Sequence, residues 1–354
     1  MTAASSTIAD TARVSAARAS LRQRYRLTIA GLVIVLLALA AVALTIGDYP
    51  LPPADVLTAL LSPLLGGSDK AAEFIVLGVR LPRLTAGLLA GAAFGLSGVI
   101  FQTVLRNPLA SPDIVGISTG ASAAAVTAII LFGWGGFAVS LAACGGALAI
   151  AIAIYALAWR DGVTPYRLVL VGIGAAAMAS ALISWLFTRA RIFDVQRALS
   201  WLTGSLNGAS FAEIAPLALA LLLLMPTAFV LARQLSTLQL GDDAARGLGT
   251  RVELARLSLL GVGVILAAFA TAAVGPIAFV AFVSGPIARR ILGPAGRPLL
   301  PSALVGAAVT IGADQIAQHM LGRNQLPVGV VTGALGALFL IYLLVAANRS
   351  GQGG

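Results

Sequence analysis

The sequence predicts an all-α membrane protein that crosses the bilayer about ten times. Of its 354 residues, 59% are hydrophobic and only 10% are charged, and the mean hydropathy is +0.98. A soluble domain has roughly 45–50% apolar and 25% charged residues, so this composition excludes a water-soluble fold. With 39 glycines and 6% aromatic residues, the chain fits closely packed helices better than a barrel with aromatic girdles.

A basic segment precedes the first predicted span. Residues 1–26 are rich in Ala, Ser and Thr and carry the arginines Arg13, Arg18, Arg22, Arg24 and Arg26. The apolar run at residues 27–46 has full spanning length and no clear cleavage site. We therefore expect residues 1–26 to form a cytoplasmic tail before a retained helix, rather than a signal peptide.

Nine further apolar stretches make residues 27–347 a single membrane domain, followed by a short cytoplasmic tail at residues 348–354. The stretches are residues 84–105, 114–132, 137–158, 168–188, 214–232, 257–274, 276–288, 299–318 and 327–347. As one helix, residues 257–288 would reach about 48 Å, which is too long for a bilayer core of ~30 Å. Because proline disfavours helix in the preceding residue, we predict two helices split at Gly275 and Pro276, the second unusually short.

The charges agree with this topology. With the N-terminus inside, sixteen of the 23 basic residues lie on the inner side and seven on the outer side. Such an excess follows the positive-inside rule, so the net charge of +10 indicates membrane orientation rather than a nucleic-acid surface.

Several kinds of chemistry are excluded by composition. The chain has one His, one Cys and one Lys, namely His319, Cys144 and Lys70. These residues cannot supply an internal disulfide or the usual zinc, haem or iron–sulfur ligands, so we expect neither a metal site nor a cofactor. The sequence around Lys70 does not fit a phosphate-binding P-loop. ATP-driven work would therefore need an ATPase on another chain.

Two motifs shape the second span. Gly87, Gly91 and Gly95 form a small-residue stripe that lets another helix backbone approach closely, within this subunit or across a dimer. The polar, proline-containing turn from Gln102 to Gly120 ends this helix and starts the next.

Four ordered blocks resemble the FecCD-type permeases, and the resemblance covers residues 30–347. The blocks are VRLPR with FQTVLRNPLASPDIVGISTGAS, LGDDAARGLG, VGPIAFVAFV followed by IARR, and QLPVGVVTGALG. This family comprises membrane subunits of ABC importers for ferric siderophores, haem and vitamin B12. The resemblance implies a type II ABC importer permease fold in the cytoplasmic membrane. It also implies two permease subunits, two ATPases that carry ATP and magnesium, and an extracytoplasmic binding protein.

The second block is a polar segment between two spans on the predicted inner side. It consists of Leu240, Gly241, Asp242, Asp243, Ala244, Ala245, Arg246, Gly247, Leu248 and Gly249. Its composition alone fits a solvated loop, whereas the resemblance implies a coupling helix that seats in an ATPase cleft. We expect Asp242 and Asp243 near a helix start, where negative charge is favoured by about 0.3–1 kcal/mol, with capping as their role.

The resemblance also implies a docking surface and an inner gate. Arg80 and Arg83 lie at the outer mouth, where they would snorkel to headgroups or pair with acids of the binding protein. A third family arginine falls at Gln318, and Arg323 is its nearest replacement. By similarity the gate comprises Asn107, Pro108, Leu109, Pro165 and Tyr166; as residues alone, these prolines are ordinary helix punctuation.

The predicted function is import of a ferric siderophore by alternating access, with haem or vitamin B12 as other cargoes within the family. An ion-gradient-driven secondary transporter is the alternative. Asp314 is the only acid well inside a span, and it would serve a proton relay or reach an arginine. The second permease subunit is expected to be a different chain, although a homodimer stays open.

Overall fold

The computed structural model describes residues 2–65, 69–160, 162–293, 297–320 and 325–349, and within them the chain is helical with no strand. The α-helices of these residues are α1 (Thr2–Thr45), α2 (Pro53–Leu65), α3 (Lys70–Glu73), α4 (Leu81–Val104), α5 (Ile117–Phe132), α6 (Phe137–Ala158), α7 (Pro165–Arg189), α8 (Ile192–Leu202), α9 (Phe211–Val230), α10 (Ala232–Leu238), α11 (Asp242–Gly247), α12 (Val252–Val274), α13 (Val280–Leu292), α14 (Leu299–His319) and α15 (Val328–Arg349). Each of the ten predicted spans corresponds to one of these helices, which confirms the all-α class.

Eight helices of the described chain are long and apolar enough to cross a membrane. The other two predicted spans, α5 and α13, have 16 and 13 residues. Short helices persist at membrane depth where protein covers their ends. The first half of α13 is covered by protein in this way, since residues 280–285 are all buried.

Two helices begin earlier than predicted. α1 runs without interruption through the predicted tail, and Arg24 in that part donates to the Ile291 carbonyl at 3.2 Å, near the end of α13. α4 is preceded by a wide π-helical segment, Phe74–Arg80, so the apolar helix extends back to Lys70. The tail and the outer loop therefore contain more helix than hydropathy indicates.

The break after α12 is confirmed, with a shift. α12 ends at Val274, and Gly275 takes a left-handed φ of 76° that a residue with a side chain rarely adopts. α13 starts only at Val280, four residues later than predicted, because residues 275–279 turn the chain. Phe279 ends that turn at a φ of 66°, which is uncommon for a residue other than glycine.

α4 is the central helix, and its glycine stripe packs inside this subunit. A Cβ on Gly91 would lie 2.5 Å from the Gly306 carbonyl oxygen of α14, and one on Gly95 would lie 2.2 Å from that of Ser302. A Cβ on Gly329 of α15 would lie even closer to the Thr203 carbonyl oxygen. By contrast, a Cβ on Gly333 meets nothing within 4 Å in the described chain.

Helices α2 and α8 occupy segments predicted as outer loops. Both are too short to span a bilayer, so the hydropathy pattern does not reveal them. The chain after α8 packs against the C-terminal end of α12, where the Ser205 amide donates a hydrogen bond to the Val274 carbonyl at 2.9 Å. We call the end of the molecule with Arg106 and α11 the inner end and the opposite end the outer end, following the predicted topology.

Candidate functional site

The polar block at residues 240–249 folds as a short helix with two unlike faces. Gly241, at a φ of 105°, turns the chain into α11, and backbone bonds from Gly249 and Thr250 close its end. Asp243 and Arg246 form an exposed ion pair of 3.0 Å on the outward face. Asp242 points the other way, towards the permease.

Asp242 does not cap the helix. Its two carboxylate oxygens accept from Nη2 of Arg256 at 3.1 and 2.9 Å, and Oδ1 also accepts from Arg106. No side chain caps the first turn of α11. The expectation of capping is therefore wrong, because two nearby guanidinium groups bind the carboxylate more strongly than a backbone amide would.

Arg256 lies at the start of α12 with a side chain only 2% exposed. Its Nη1 donates to the Val163 carbonyl and, at 3.3 Å, to Glu253. Glu253 in turn accepts from the Val163 amide at 3.3 Å. We call Arg106, Asp242, Glu253 and Arg256 the inner ion cluster; sequence reasoning counted both arginines only as topology signals.

The predicted gate residues lie in two exposed turns at the inner end. Asn107 Oδ1 accepts from the Leu109 amide at 2.9 Å, and the preceding Arg106 has a φ of 51°. In the other turn, Thr164 accepts from the Arg167 amide at 3.5 Å, and Pro165 opens α7.

Asn107 and Pro108 are exposed, Leu109 and Pro165 are partly buried, and Tyr166 is exposed. Within the described chain no hydrogen bond joins the two turns directly. The inner ion cluster contacts both.

A cavity of about 560 Å³ opens behind the first gate turn. Its walls are mainly apolar with a few hydroxyl groups, from Leu109, Ser111, Asp113, Ile114, Ser118, Thr119, Ser122, Ile183, Leu202, Pro276, Ile277, Ala278, Phe279, Phe282 and Leu340. The walls come from the gate turn, from α5, α7, α8, α13 and α15, and from the break after α12.

Asp113 is a candidate that sequence reasoning missed. One carboxylate oxygen accepts from Ser118, while the other is enclosed with no hydrogen-bond partner among the described residues. Burial raises the pKa of this carboxyl from its ordinary 3.8 to about 6. The sequence feature that could have identified it is an acidic residue directly after Pro112, in the turn that precedes a predicted span.

At the outer end, Arg83 and Asp314 form a forked ion pair with both distances at 2.9 Å. Their side chains are 13% and 5% exposed. Gln318 also donates to Asp314, and Gln325 accepts from Arg83. The acid inside the membrane thus reaches an arginine, which was one of the two expectations for it.

Arg80 is bound to its own chain as well. It donates to the Leu44 carbonyl at 2.6 Å and to the Tyr49 carbonyl, and so holds the end of α1. Arg80 and Arg83 both line an outer cavity of about 250 Å³. The third predicted docking residue, Arg323, lies outside the described residues.

No group of three or more His, Cys, Asp or Glu residues that could hold a metal ion occurs in the described part of the chain. Its single histidine, His319, bonds the Gln315 carbonyl of its own helix at 2.8 Å.

Comparison with known proteins identifies relatives along most of the chain. The model of the FecCD transport family matches residues 32–346. The chain is 43% identical over 286 residues to the ferric enterobactin transport system permease protein FepG of Escherichia coli, covering 81% of this chain and 87% of that protein. It is 40% identical over 316 residues to the achromobactin transport system permease protein CbrC of Dickeya dadantii, covering 88% and 89%.

Among solved structures, the fold is similar to one described as a metal-chelate type ABC transporter in an inward-facing conformation. The TM-score is 0.77 at 25% sequence identity, and the match covers 91% of this chain and 99% of that chain.

Proposed function

The chain belongs to the FecCD transport family, and from that premise we propose how it works as the membrane permease of an ATP-driven ferric-siderophore importer. The observation that carries the function is the family match over residues 32–346, which takes in nearly the whole membrane domain. The match decides against an ion-gradient-driven secondary transporter. In addition, both carboxylate oxygens of Asp314 accept hydrogen bonds from Arg83, and this pairing does not suit a residue that passes protons in a relay.

Energy enters through the inner end. In this proposal two ATPase subunits bind ATP and magnesium, and this chain holds neither. The block Leu240–Gly249 seats in an ATPase cleft, with Asp243 and Arg246 on its outward face. Gly241 and Gly249, both at positive φ, let the chain turn sharply on either side of α11.

The cargo path follows the cavity behind the first gate turn. Asn107, Pro108 and Leu109 form one half of the inner gate, and Pro165 and Tyr166 form the other. Hydroxyl and apolar walls hold a chelate by shape and weak contacts, so that it is released when the gate opens. A tight site would slow that release.

The binding protein docks at the outer end through Arg80, Arg83 and Arg323. An acid of the binding protein that reaches Arg83 has to compete with Asp314, which already neutralises it. Arg80 is different, because its hydrogen-bond partners are neutral carbonyl oxygens, and Asp48 attracts it electrostatically without forming an ion pair. We therefore assign the larger part of the docking to Arg80.

A second permease subunit completes the importer, and we favour a different chain over a second copy. The Gly87, Gly91 and Gly95 stripe is used inside this subunit, so it does not form the interface. Gly333 on α15 stays open for a partner helix or lipid. Purification through a tag on this chain alone tests the pairing: a functional complex with only this permease contradicts the heterodimer.

We place the importer in the cytoplasmic membrane with both termini in the cytoplasm. The cargo is assigned from the relatives, whose names specify ferric enterobactin and achromobactin. Haem and vitamin B12 are the competing cargoes.

Uptake into proteoliposomes tests the function. The permease is reconstituted with its ATPases, second permease and binding protein, and a panel of ferric siderophores, haem and vitamin B12 is offered with ATP. We expect uptake of at least one ferric siderophore, abolished by an inactive ATPase. Uptake that needs an ion gradient but no ATP contradicts the mechanism, and uptake of haem or B12 alone contradicts the cargo.

A further inference from the structure

One carboxylate at the inner end is shared between two parts of the permease. Asp242, the first residue of α11, binds Arg106 through Oδ1 and binds Arg256 through both oxygens. Arg106 belongs to the turn after α4, and Arg256 belongs to α12. Any displacement of α11 therefore acts on two separate segments through one side chain.

The first connection leads to one half of the gate. Arg106 directly precedes Asn107, whose side chain closes its turn by accepting from the Leu109 amide at 2.9 Å. Only one peptide bond separates the residue that binds Asp242 from that closed turn. A pull on the Arg106 guanidinium is thus applied at the base of the turn.

The second connection leads to the other half. Arg256 donates to the Val163 carbonyl, and Glu253, itself paired with Arg256 at 3.3 Å, accepts from the Val163 amide. Both backbone groups of Val163 are thus held by the cluster. Val163 directly precedes Thr164, the N-cap of α7, so it fixes where Pro165 and Tyr166 begin that helix.

We propose that Asp242 is a positioning residue that couples α11 to both gate turns, through Arg106 to residues 106–109 and through Arg256 to residues 163–166. The proposal rests on the proposed function, because it takes α11 to be the segment that an ATPase moves. Arg256 is 2% exposed, and without Asp242 this buried cation would keep only its longer, 3.3 Å contact with Glu253, which is unfavourable. Arg256 and Val163 therefore follow Asp242 when α11 moves.

The two arginines should respond differently to a change to lysine. Arg106 makes a single ion-pair contact with one oxygen, which a lysine ammonium can reproduce. Arg256 forks over Asp242, Glu253 and the Val163 carbonyl at once, which lysine cannot do with one nitrogen. A mere need for positive charge would make both lysine variants active.

The experiment measures cargo imported per ATP hydrolysed by the full importer in proteoliposomes. A second readout is the ATP-induced change of a spin label at Leu170→Cys, an exposed position near the inner end of α7, in a Cys144→Ser background. Arg160→Ala is the matched control, since it removes an exposed cation from the inner end without touching the cluster.

We expect Asp242→Asn to lower the transport ratio roughly fivefold or more and to suppress the label response, while ATP hydrolysis continues. Arg106→Lys should stay near wild type and Arg256→Lys should not. Arg106→Gln combined with Asp242→Asn should be no worse than Asp242→Asn alone, because both break one path. Arg106 is partly exposed, so its replacement should disturb folding less. Arg106→Gln is therefore the variant to test if Asp242→Asn does not assemble.

An unchanged ratio and label response in Asp242→Asn, or an unchanged ratio in Arg106→Gln if it alone assembles, overturns the proposal. So does wild-type behaviour of Arg256→Lys, or simple addition of the Arg106→Gln and Asp242→Asn effects. The label response needs only ATP and the ATPases. A wild-type importer that shows it but carries no ferric siderophore therefore contradicts the assigned cargo and leaves the coupling result standing.

Discussion

The two ends of the molecule use the same arginine–carboxylate chemistry in different settings. At the outer end, Arg83 and Asp314 form one enclosed, forked pair between α4 and α14, whose backbones already touch at Gly91. At the inner end, Asp242 is 30% exposed and links the six-residue α11 to the turn after α4 through Arg106 and to the start of α12 through Arg256. A pair between tightly packed helices adds rigidity, whereas a pair between short segments determines which of them move together.

The largest expected effect comes from breaking the outer pair. Asp314→Ala leaves the Arg83 charge nearly buried without its carboxylate, and loss of one partner of a buried pair destabilises by about 3–5 kcal/mol. Thermal unfolding in detergent measures the loss. Gln318→Ala, which removes only a neutral partner of Asp314, should cost much less. Normal stability together with weaker binding-protein affinity would make the pair a docking element instead.

Asp113 is a third case beside the two paired carboxylates, Asp314 and Asp242, because it has no ion-pair partner in the described chain. Its folded pKa of about 6 exceeds the ordinary 3.8, so the folded state binds this proton more tightly than the unfolded state. The extra stability is complete below pH 3.8 and is lost as the pH rises to about 6, on the order of 2–3 kcal/mol. Asp113→Asn should flatten this part of the unfolding profile. An unchanged slope between pH 4 and 6.5 would contradict the assignment.

The close contact between α4 and α14 gives the third test. Gly91→Ala places a methyl group 2.5 Å from the Gly306 carbonyl oxygen, and overpacking of this kind destabilises by about 1–3 kcal/mol. Gly333→Ala is the matched control, since its Cβ meets no neighbour in the described chain. Equal melting temperatures for the two variants would mean that the helices are less tightly packed than described.

The smallest effect on stability is expected on the outward face of α11. Arg246→Glu removes an exposed pair with Asp243, and exposed pairs contribute little to folding. Under the proposed coupling role, transport and ATPase association should nevertheless fall. Normal import at normal ATPase assembly would remove this face from the coupling surface.

Hydropathy was sufficient to predict the spanning helices, because each apolar run is long compared with the uncertainty of its ends. The break at Gly275 and Pro276 was predicted from the length of residues 257–288 and from the effect of proline on the preceding residue. α2 and α8 were missed because a short helix lying at one end of the bundle needs no continuous apolar run.

The charged contacts were less predictable. Arg83 and Asp314 are 231 residues apart, and nothing local to either identifies the partner. Arg256 falls in an inner segment between two predicted spans, whereas the fold buries its side chain beneath α11. Burial of a basic residue depends on the carboxylates brought to it by other segments, so it appears only once the segments are assembled.

The wide separation of Arg83 and Asp314 matters during synthesis. At about 5–20 residues per second, the ribosome needs roughly 10–50 s to make the 231 residues between them. During that interval the nascent chain carries an arginine without its carboxylate and a glycine-lined helix without its neighbour. A chain truncated before α14 never acquires either, so its Arg83 stays unpaired with Asp314 and the glycine face of α4 stays unpacked.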